Sequence, residues 1–356
     1  MAIPDDDVAA VRAATDIVGL IGERTALKKA GRRWTGLCPF HNERSPSFSV
    51  NAEEGLYYCF GCKASGDAIK FVRETQHLGF AESVRLLADR AGITIREDAA
   101  TSAATKRRGV LMDAVAKAVD YYHERLLTSP DAGAARQYLR SRGLDGEMVR
   151  QFKIGWAPAG WDELAKHLKL SNEVLGDSGL GFVNRRGNQQ DAFRARVVFP
   201  IMDPSDRPIA IGARILPGAP VNPDYPEPKY KNSIETAIYS KSRTLYALNW
   251  AKHDVIASGQ VVVCEGYTDV IGCFKAGLPR AVATCGTSLT EEHFTLLKNF
   301  AKEIVLAYDA DSAGQNAAAR LYELERKHDV ALKVAALPAG EDPGSLAEKD
   351  PEALAK

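Results

Sequence analysis

The chain has 356 residues, long enough for two or more domains of ordinary size. It is 45% hydrophobic and 26% charged, with 46 basic and 46 acidic side chains, so its net charge taken whole gives no bias toward nucleic acid or membrane. That zero is a cancellation: residues 1–98, 99–258 and 259–356 hold 13, 23 and 10 basic against 14, 17 and 15 acidic side chains, or −1, +6 and −5.

The acidic start Met1-Ala-Ile-Pro-Asp-Asp-Asp lacks the pattern of a secretory signal, and no run approaches the roughly 18 apolar residues of a membrane span. A cytoplasmic protein without a membrane partner is expected, with its six cysteines read as metal ligands or thiols before disulfides. Pro4 and Asp5 to Asp7 open a helix continued by Val8, Val11, Ile17, Val18 and Ile21, which leads into the basic residues Arg24, Lys28, Lys29, Arg32 and Arg33. Ribbon strands are expected at 48–50 and 56–58, helices at 67–74 and 80–90, and a strand at 93–95, closing a unit at 1–98. Residues 99–110 read as a small, polar linker. A mixed subdomain at 111–258 opens on a helix with Val110, Leu111, Val115, Val119, Tyr122 and Leu126 on one face. It continues with helices near 134–141 and 162–167, strands near 196–201 and 208–216, and a proline-rich surface loop at 216–228. Over 259–345 four apolar runs, 261–264, 281–284, 304–308 and 333–337, alternate with helical stretches including 312–328, as in a parallel sheet covered by helices. Residues 346–356 begin a further helical region, and no Walker-type phosphate loop occurs.

Two constellations carry chemistry. Cys38-Pro-Phe-His41 and Cys59-Phe-Gly-Cys62 are two knuckles whose four ligands close a tetrahedron around one structural zinc. The nearby basic run and Trp34, Phe40, Phe48, Tyr57, Tyr58 and Phe60 form the charged, aromatic mixture that suits single strands, although such aromatics also fill small cores. The second constellation is acidic: Glu265 follows the first strand of the parallel set, Asp309 and Asp311 follow the third, and Asp342 falls beyond the fourth. Ligands gather outside the carboxyl ends of such strands, and clustered carboxylates there call for Mg²⁺. Asp269 reads as a helix cap, while Arg194, Arg196, Lys229 and Lys241 supply cations suited to triphosphate or nucleic-acid backbone.

IPDDDVAAVRAATDIVGLI, GLCPFHNERSPSFSV, YYCFGCKASGD, FRARVVFPIMD, PKYKNSIET, CEGYTDV, TCGTSLT and YDADSAGQNAA together resemble the bacterial DnaG-type DNA primases, in that family's order and over nearly the whole chain. EGYTDV and DADSAG look like the two signatures of the TOPRIM domain. The resemblance implies an α+β multidomain fold: an N-terminal zinc ribbon with helices, a central mixed α+β subdomain and a C-terminal α/β TOPRIM domain with a parallel sheet. It implies that Cys38, His41, Cys59 and Cys62 bind zinc in a domain that reads single-stranded DNA template. Glu265, Asp309 and Asp311 are then the Mg²⁺-dependent centre (Mn²⁺ being a possible substitute) for RNA primer synthesis from ribonucleoside triphosphates. Asp342 would be a further ligand, and Glu265 either binds metal or accepts a proton. Arg194, Arg196, Lys229 and Lys241 fall at basic positions associated with nucleotide and template. One departure is Asp342-Pro343-Gly344, where the family commonly has Asp-Pro-Asp. The chain also ends at Lys356, before the C-terminal helicase-binding domain of the family, so contact with the replicative helicase is not expected through these residues. The alternatives are another TOPRIM enzyme, a topoisomerase or nuclease, or a non-catalytic zinc-dependent single-strand-binding module.

Overall fold

The computed structural model describes residues 3–76, 78–95, 99–218, 227–308, 330–338 and 340–355, and the chain divides into two units, 1–105 and 106–356. The first unit opens with α1 (Asp5–Ala14) and α2 (Ile17–Gly22), which periodicity alone reads as one helix. Asp16 separates them: its carboxylate accepts the N–H groups of Val18 and Gly19 at 3.0 and 3.1 Å and so caps α2. An antiparallel meander follows, β1 (Lys28–Ala30), β2 (Arg33–Gly36), β3 (Phe48–Asn51), β4 (Leu56–Cys59) and β5 (Ser65–Asp67), each strand bonded to the next. With α3 (Ala68–Gln76) and α4 (Phe80–Ala91) it encloses a core that includes Val11, Ile21, Phe48, Val50, Tyr57, Phe71, Val84 and Leu87. Residues 93–95, expected as a strand, belong to none.

The expected linker is helical, for α5 runs Ala99–Thr128. Leu111, Val115, Val119, Tyr122 and Leu126 are buried on it as their spacing predicts, whereas Val110 is exposed. The second unit then builds a four-stranded antiparallel sheet in the order β11-β10-β9-β6 from β6 (Gly155–Ala157), β9 (Arg196–Met202), β10 (Pro208–Ile215) and β11 (Tyr230–Asn232), beside a hairpin of β7 (Gly181–Val183) and β8 (Gln189–Asp191). Helices α6 (Gly133–Ser141), α7 (Gly146–Gln151), α8 (Glu163–Leu168) and α9 (Asn172–Asp177) accompany it.

A second sheet has the order β12-β14-β13-β15-β16, from β12 (Leu245–Tyr246), β13 (Gln260–Cys264), β14 (Ala281–Thr284), β15 (Glu303–Ala307) and β16 (Ala331–Val334). The last four are parallel as expected, although β16 lies two residues before its expected start; the antiparallel edge strand β12 gave no signal. Helices α10 (Leu248–Ser258), α11 (Tyr267–Lys275), α12 (Glu291–Leu297), α13 (Pro343–Lys349) and α14 (Pro351–Ala355) complete the described α-helices. Asp309, Asp311 and the helix expected at 312–328 lie outside the described residues. One continuous core joins Phe152, Trp156, Val197 and Phe199 to Tyr246, Cys264, Tyr267 and Ile271, so the two sheets of this unit hold fixed positions relative to each other. Among the described residues no helix is long and apolar enough to cross a membrane.

Candidate metal cluster and acidic cavity

The loop before β3 and the turn after β4 bring the two knuckles together, because Phe48 and Cys59 are partners in the β3–β4 ladder. The ligand atoms of Cys38, His41, Cys59 and Cys62 all lie within 4.8 Å of one another. Two sulfurs bound tetrahedrally to zinc at about 2.3 Å stand about 3.8 Å apart, and Cys38 Sγ and Cys62 Sγ are separated by 3.8 Å. The donor set and its spacing thus fit a four-coordinate zinc with no open position. Burial drives the Cys38 thiol up to about 12, so a cation that takes its thiolate must displace a proton. Of the aromatics near the knuckles, Tyr57 stacks on Phe40 and Phe48 and meets Phe71 edge to face, whereas Tyr58 and Phe60 are exposed and meet edge to face with centroids 5.0 Å apart.

The second site forms at the carboxyl end of β13. Glu265 follows Cys264, and Gly266 caps α11 with its N–H donated to Asp269 Oδ2 at 2.9 Å. Asp342 caps α13, its Oδ1 accepting the N–H of Ser345 at 2.6 Å. These two helices pack through glycine: a Cβ on Gly272 would stand 3.0 Å from Gly344 Cα, and one on Gly344 would stand 2.8 Å from Asp269 Oδ1. The antiparallel sheet faces them because Tyr267 stacks on Phe199 at 5.1 Å and donates its hydroxyl to Asn232 Oδ1 at 2.7 Å, while Asn232 Nδ2 donates to the Cys285 carbonyl at 2.8 Å.

Between them lies a cavity of about 340 Å³ whose lining includes three carboxylates, Glu265, Asp269 and Asp342, and three cations, Arg142, Arg214 and Lys229. Arg214 lies over the rings of Tyr138 and Tyr230, 5.0 and 5.3 Å from their centroids, and donates to the Tyr230 hydroxyl at 3.0 Å. Arg142 Nε stands 3.7 Å from Glu348 Oε1, and Arg214 Nε is buried without a hydrogen-bond partner. Burial, then the charge of Glu265, holds the Tyr308 phenol above its ordinary range.

Glu265, Asp342 and Lys229 line this one cavity. Arg142 and Arg214 were missed, and Asp269, read only as a cap, both caps and lines the cavity. Arg196 needs correction. Its side chain is 1% exposed, forms an ion pair with Glu227 Oε2 at 2.6 Å and donates to the Pro228 carbonyl at 2.9 Å, so it braces the segment that carries Lys229 instead of offering a free cation. Arg194 lies 3.2 Å from the ring centroid of the exposed Trp161, outside the cavity lining. Lys241 also lies outside it, on a turn whose Lys241 and Thr244 carbonyls accept from the buried His293 Nε2 at 3.0 and 3.2 Å.

Three families match successive stretches: the CHC2 zinc finger over residues 3–103, the N-terminal domain of the DNA primase catalytic core over 121–252, and a Toprim-like family over 262–347. The crystal structure of the Aquifex aeolicus primase zinc-binding and RNA polymerase domains is 32% identical, with a TM-score of 0.63, and the match covers 98% of this chain and 84% of that one. The chain belongs to the DnaG-type DNA primase family. Within that family, the DNA primase of Streptomyces coelicolor is 40% identical over 97% of this chain and 55% of its own length, so the chain spans a little over half of that relative. A DnaG primase catalytic domain solved bound to ssDNA is 36% identical, with a TM-score of 0.64, over 70% of this chain and 78% of that one. The α+β fold class, with its zinc ribbon and parallel-sheet domain, is the family's.

Proposed function

We propose that the chain carries the primer-synthesising part of a DNA primase, joining ribonucleoside triphosphates de novo on single-stranded DNA. The 3′-hydroxyl of one nucleotide attacks the α-phosphate of the next, and pyrophosphate leaves. The observation that carries this reading is the cavity in which Glu265, Asp269 and Asp342 face Arg142, Arg214 and Lys229. A triphosphate needs cations along its oxygens, and its transfer needs carboxylates that can hold a divalent ion beside them. Glu265, Asp309 and Asp311, with Asp342 as a further ligand, would hold Mg²⁺, or Mn²⁺ in its place, which when bound neutralises charge on the attacking and leaving oxygens. Glu265 alternatively accepts the proton of the attacking hydroxyl. Arg142, Arg214 and Lys229 hold the phosphates and orient the α-phosphate.

Template binding is supported in each unit separately. In the first, the register places Lys28, Thr35, Ser49 and Tyr58 in one row across the meander, with Arg33 and Leu56 in the next row on the same face. Exposed aromatics among cations suit successive bases and phosphates of a single strand. In the second, the exposed Trp161 under Arg194 offers the same combination, and Lys241 a further cation. The natural setting of this activity is the bacterial cytoplasm at the replisome, and helicase contact is assigned to no residue here.

Incubating the chain with unprimed circular single-stranded DNA, the four ribonucleoside triphosphates and Mg²⁺ tests the reading. Short RNA that requires both template and Mg²⁺ is the expected product. Nicked circles without RNA would point to a nuclease of the same fold group, and retention of DNA without either product would leave a binding module.

A further inference from the structure

The metal cluster has four ligands, but a fifth side chain lies against two of them and reaches a third through a serine. Glu43 follows His41 by two residues and its side chain is 11% exposed. Its Oε1 accepts the N–H groups of Cys38 and Ser47 at 2.7 and 3.1 Å, and its Oε2 accepts the Ser47 hydroxyl at 2.5 Å while standing 3.3 Å from His41 Nε2. The other nitrogen of that ring, Nδ1, faces inward, 3.9 Å from Cys59 Sγ. Ser47 Oγ in turn lies 3.2 Å from Cys59 Sγ. One carboxylate thus reaches the backbone of one ligand, the ring of a second and, through Ser47, the sulfur of a third.

The second knuckle supplies an independent sign of the same arrangement. A Cβ on Gly61 would stand 2.8 Å from His41 Nε2 and 3.0 Å from Ser47 Oγ, so the turn between Cys59 and Cys62 keeps clear the space that the ring edge and hydroxyl occupy.

We propose that Glu43 is a positioning residue of the metal cluster: it accepts a hydrogen bond from His41 Nε2–H, leaving Nδ1 to bind the metal, and it holds Cys38 and, through Ser47, Cys59 in ligating position. The inference rests on the zinc reading of the cluster. A neutral imidazole has one N–H, and the partner of that N–H decides which nitrogen is left to ligate. A carboxylate in this place also raises the basicity of the ligating nitrogen, and losing such a partner typically costs 10- to 100-fold in metal affinity.

The test uses the whole chain loaded with zinc. Competition with a chelator measures the zinc affinity of wild type, Glu43→Gln and Glu43→Ala, and nitrogen NMR of labelled histidine reads the tautomer of His41 in wild type. Glu43→Ala should bind zinc roughly 10- to 100-fold more weakly, with Glu43→Gln, which keeps one oxygen acceptor, in between. His41 should be metallated at Nδ1 and protonated at Nε2. An affinity for Glu43→Ala within twofold of wild type, or metal on Nε2, overturns the inference. The tautomer requires no variant to fold, so it decides even if Glu43→Ala misfolds. A wild type that takes up no zinc removes the zinc reading itself, an outcome separable from unchanged variants on a zinc-loaded wild type.

Discussion

Arg142 shows what sequence alone conceals at the level of a residue. It follows α6 at an ordinary helix end, and its place in the cavity depends on Gly143 at φ 65° and on Lys275 Nζ, which donates to the Gly143 carbonyl at 3.0 Å from the far helix α11. Glu265, Asp342 and Lys229 were legible because strand ends and cap positions are local properties. Arg196 misled for the converse reason: all seven residues of β9 are buried, so a cation there must find its partner inside. Replacing Arg142 by Ala should lower kcat/KM for primer synthesis about 10- to 100-fold, the range for losing one charge-assisted bond to phosphate, while the melting temperature stays near wild type. Equal losses in rate and stability would make it a structural residue. His293 sets a pH dependence. Burial pushes its pKa below the usual value, and its Nδ1 accepts the Thr290 N–H at 3.1 Å, so the fold holds it neutral. The unfolded chain takes up that proton near pH 6.5. Its contribution to stability is therefore fully present above about 6.5 and lost as the pH falls from there toward the depressed folded value. The melting-temperature advantage of wild type over His293→Gln should shrink between pH 8 and pH 5.5, and a constant gap would refute this.

Among elements, α3, α4 and the parallel strands announced themselves through period and apolar runs. The β1–β2 hairpin did not, because its exposed Lys and Arg carry no strand signal and its turn rests on Gly31 at φ 63°. The polar stretch at the start of α5 misled in another way. Its alanines, lysine and arginines are strong helix formers, so a composition read as linker is equally one for helix. The contact between α11 and α13 is the one on which the acidic side of the cavity depends. Gly272→Val should force the helices apart and lower the melting temperature by roughly 2–10 °C, the cost of overpacking by about 1–3 kcal/mol. Thermal unfolding checks it, and an unchanged midpoint would show that α13 is free to move.

For the whole molecule, zero net charge proves uninformative about partners, since three cations of the basic middle segment and three carboxylates of the acidic last segment line one cavity. The two units should also respond differently to metal removal. Chelation should free Cys38, Cys59 and the exposed Cys62 for alkylation, three labels by mass, while Cys264, Cys273 and Cys285, all fully buried in the second unit, stay unlabelled. Labelling of the second set as well would mean that the second unit depends on the first for its fold. The most direct measurement is the rate of template-dependent ribonucleotide incorporation without a primer, wild type against Glu265→Gln. Short RNA from wild type and a loss of at least roughly 100-fold in the variant are predicted. Equal rates in the two would contradict the placement of nucleotidyl transfer at the carboxyl end of β13.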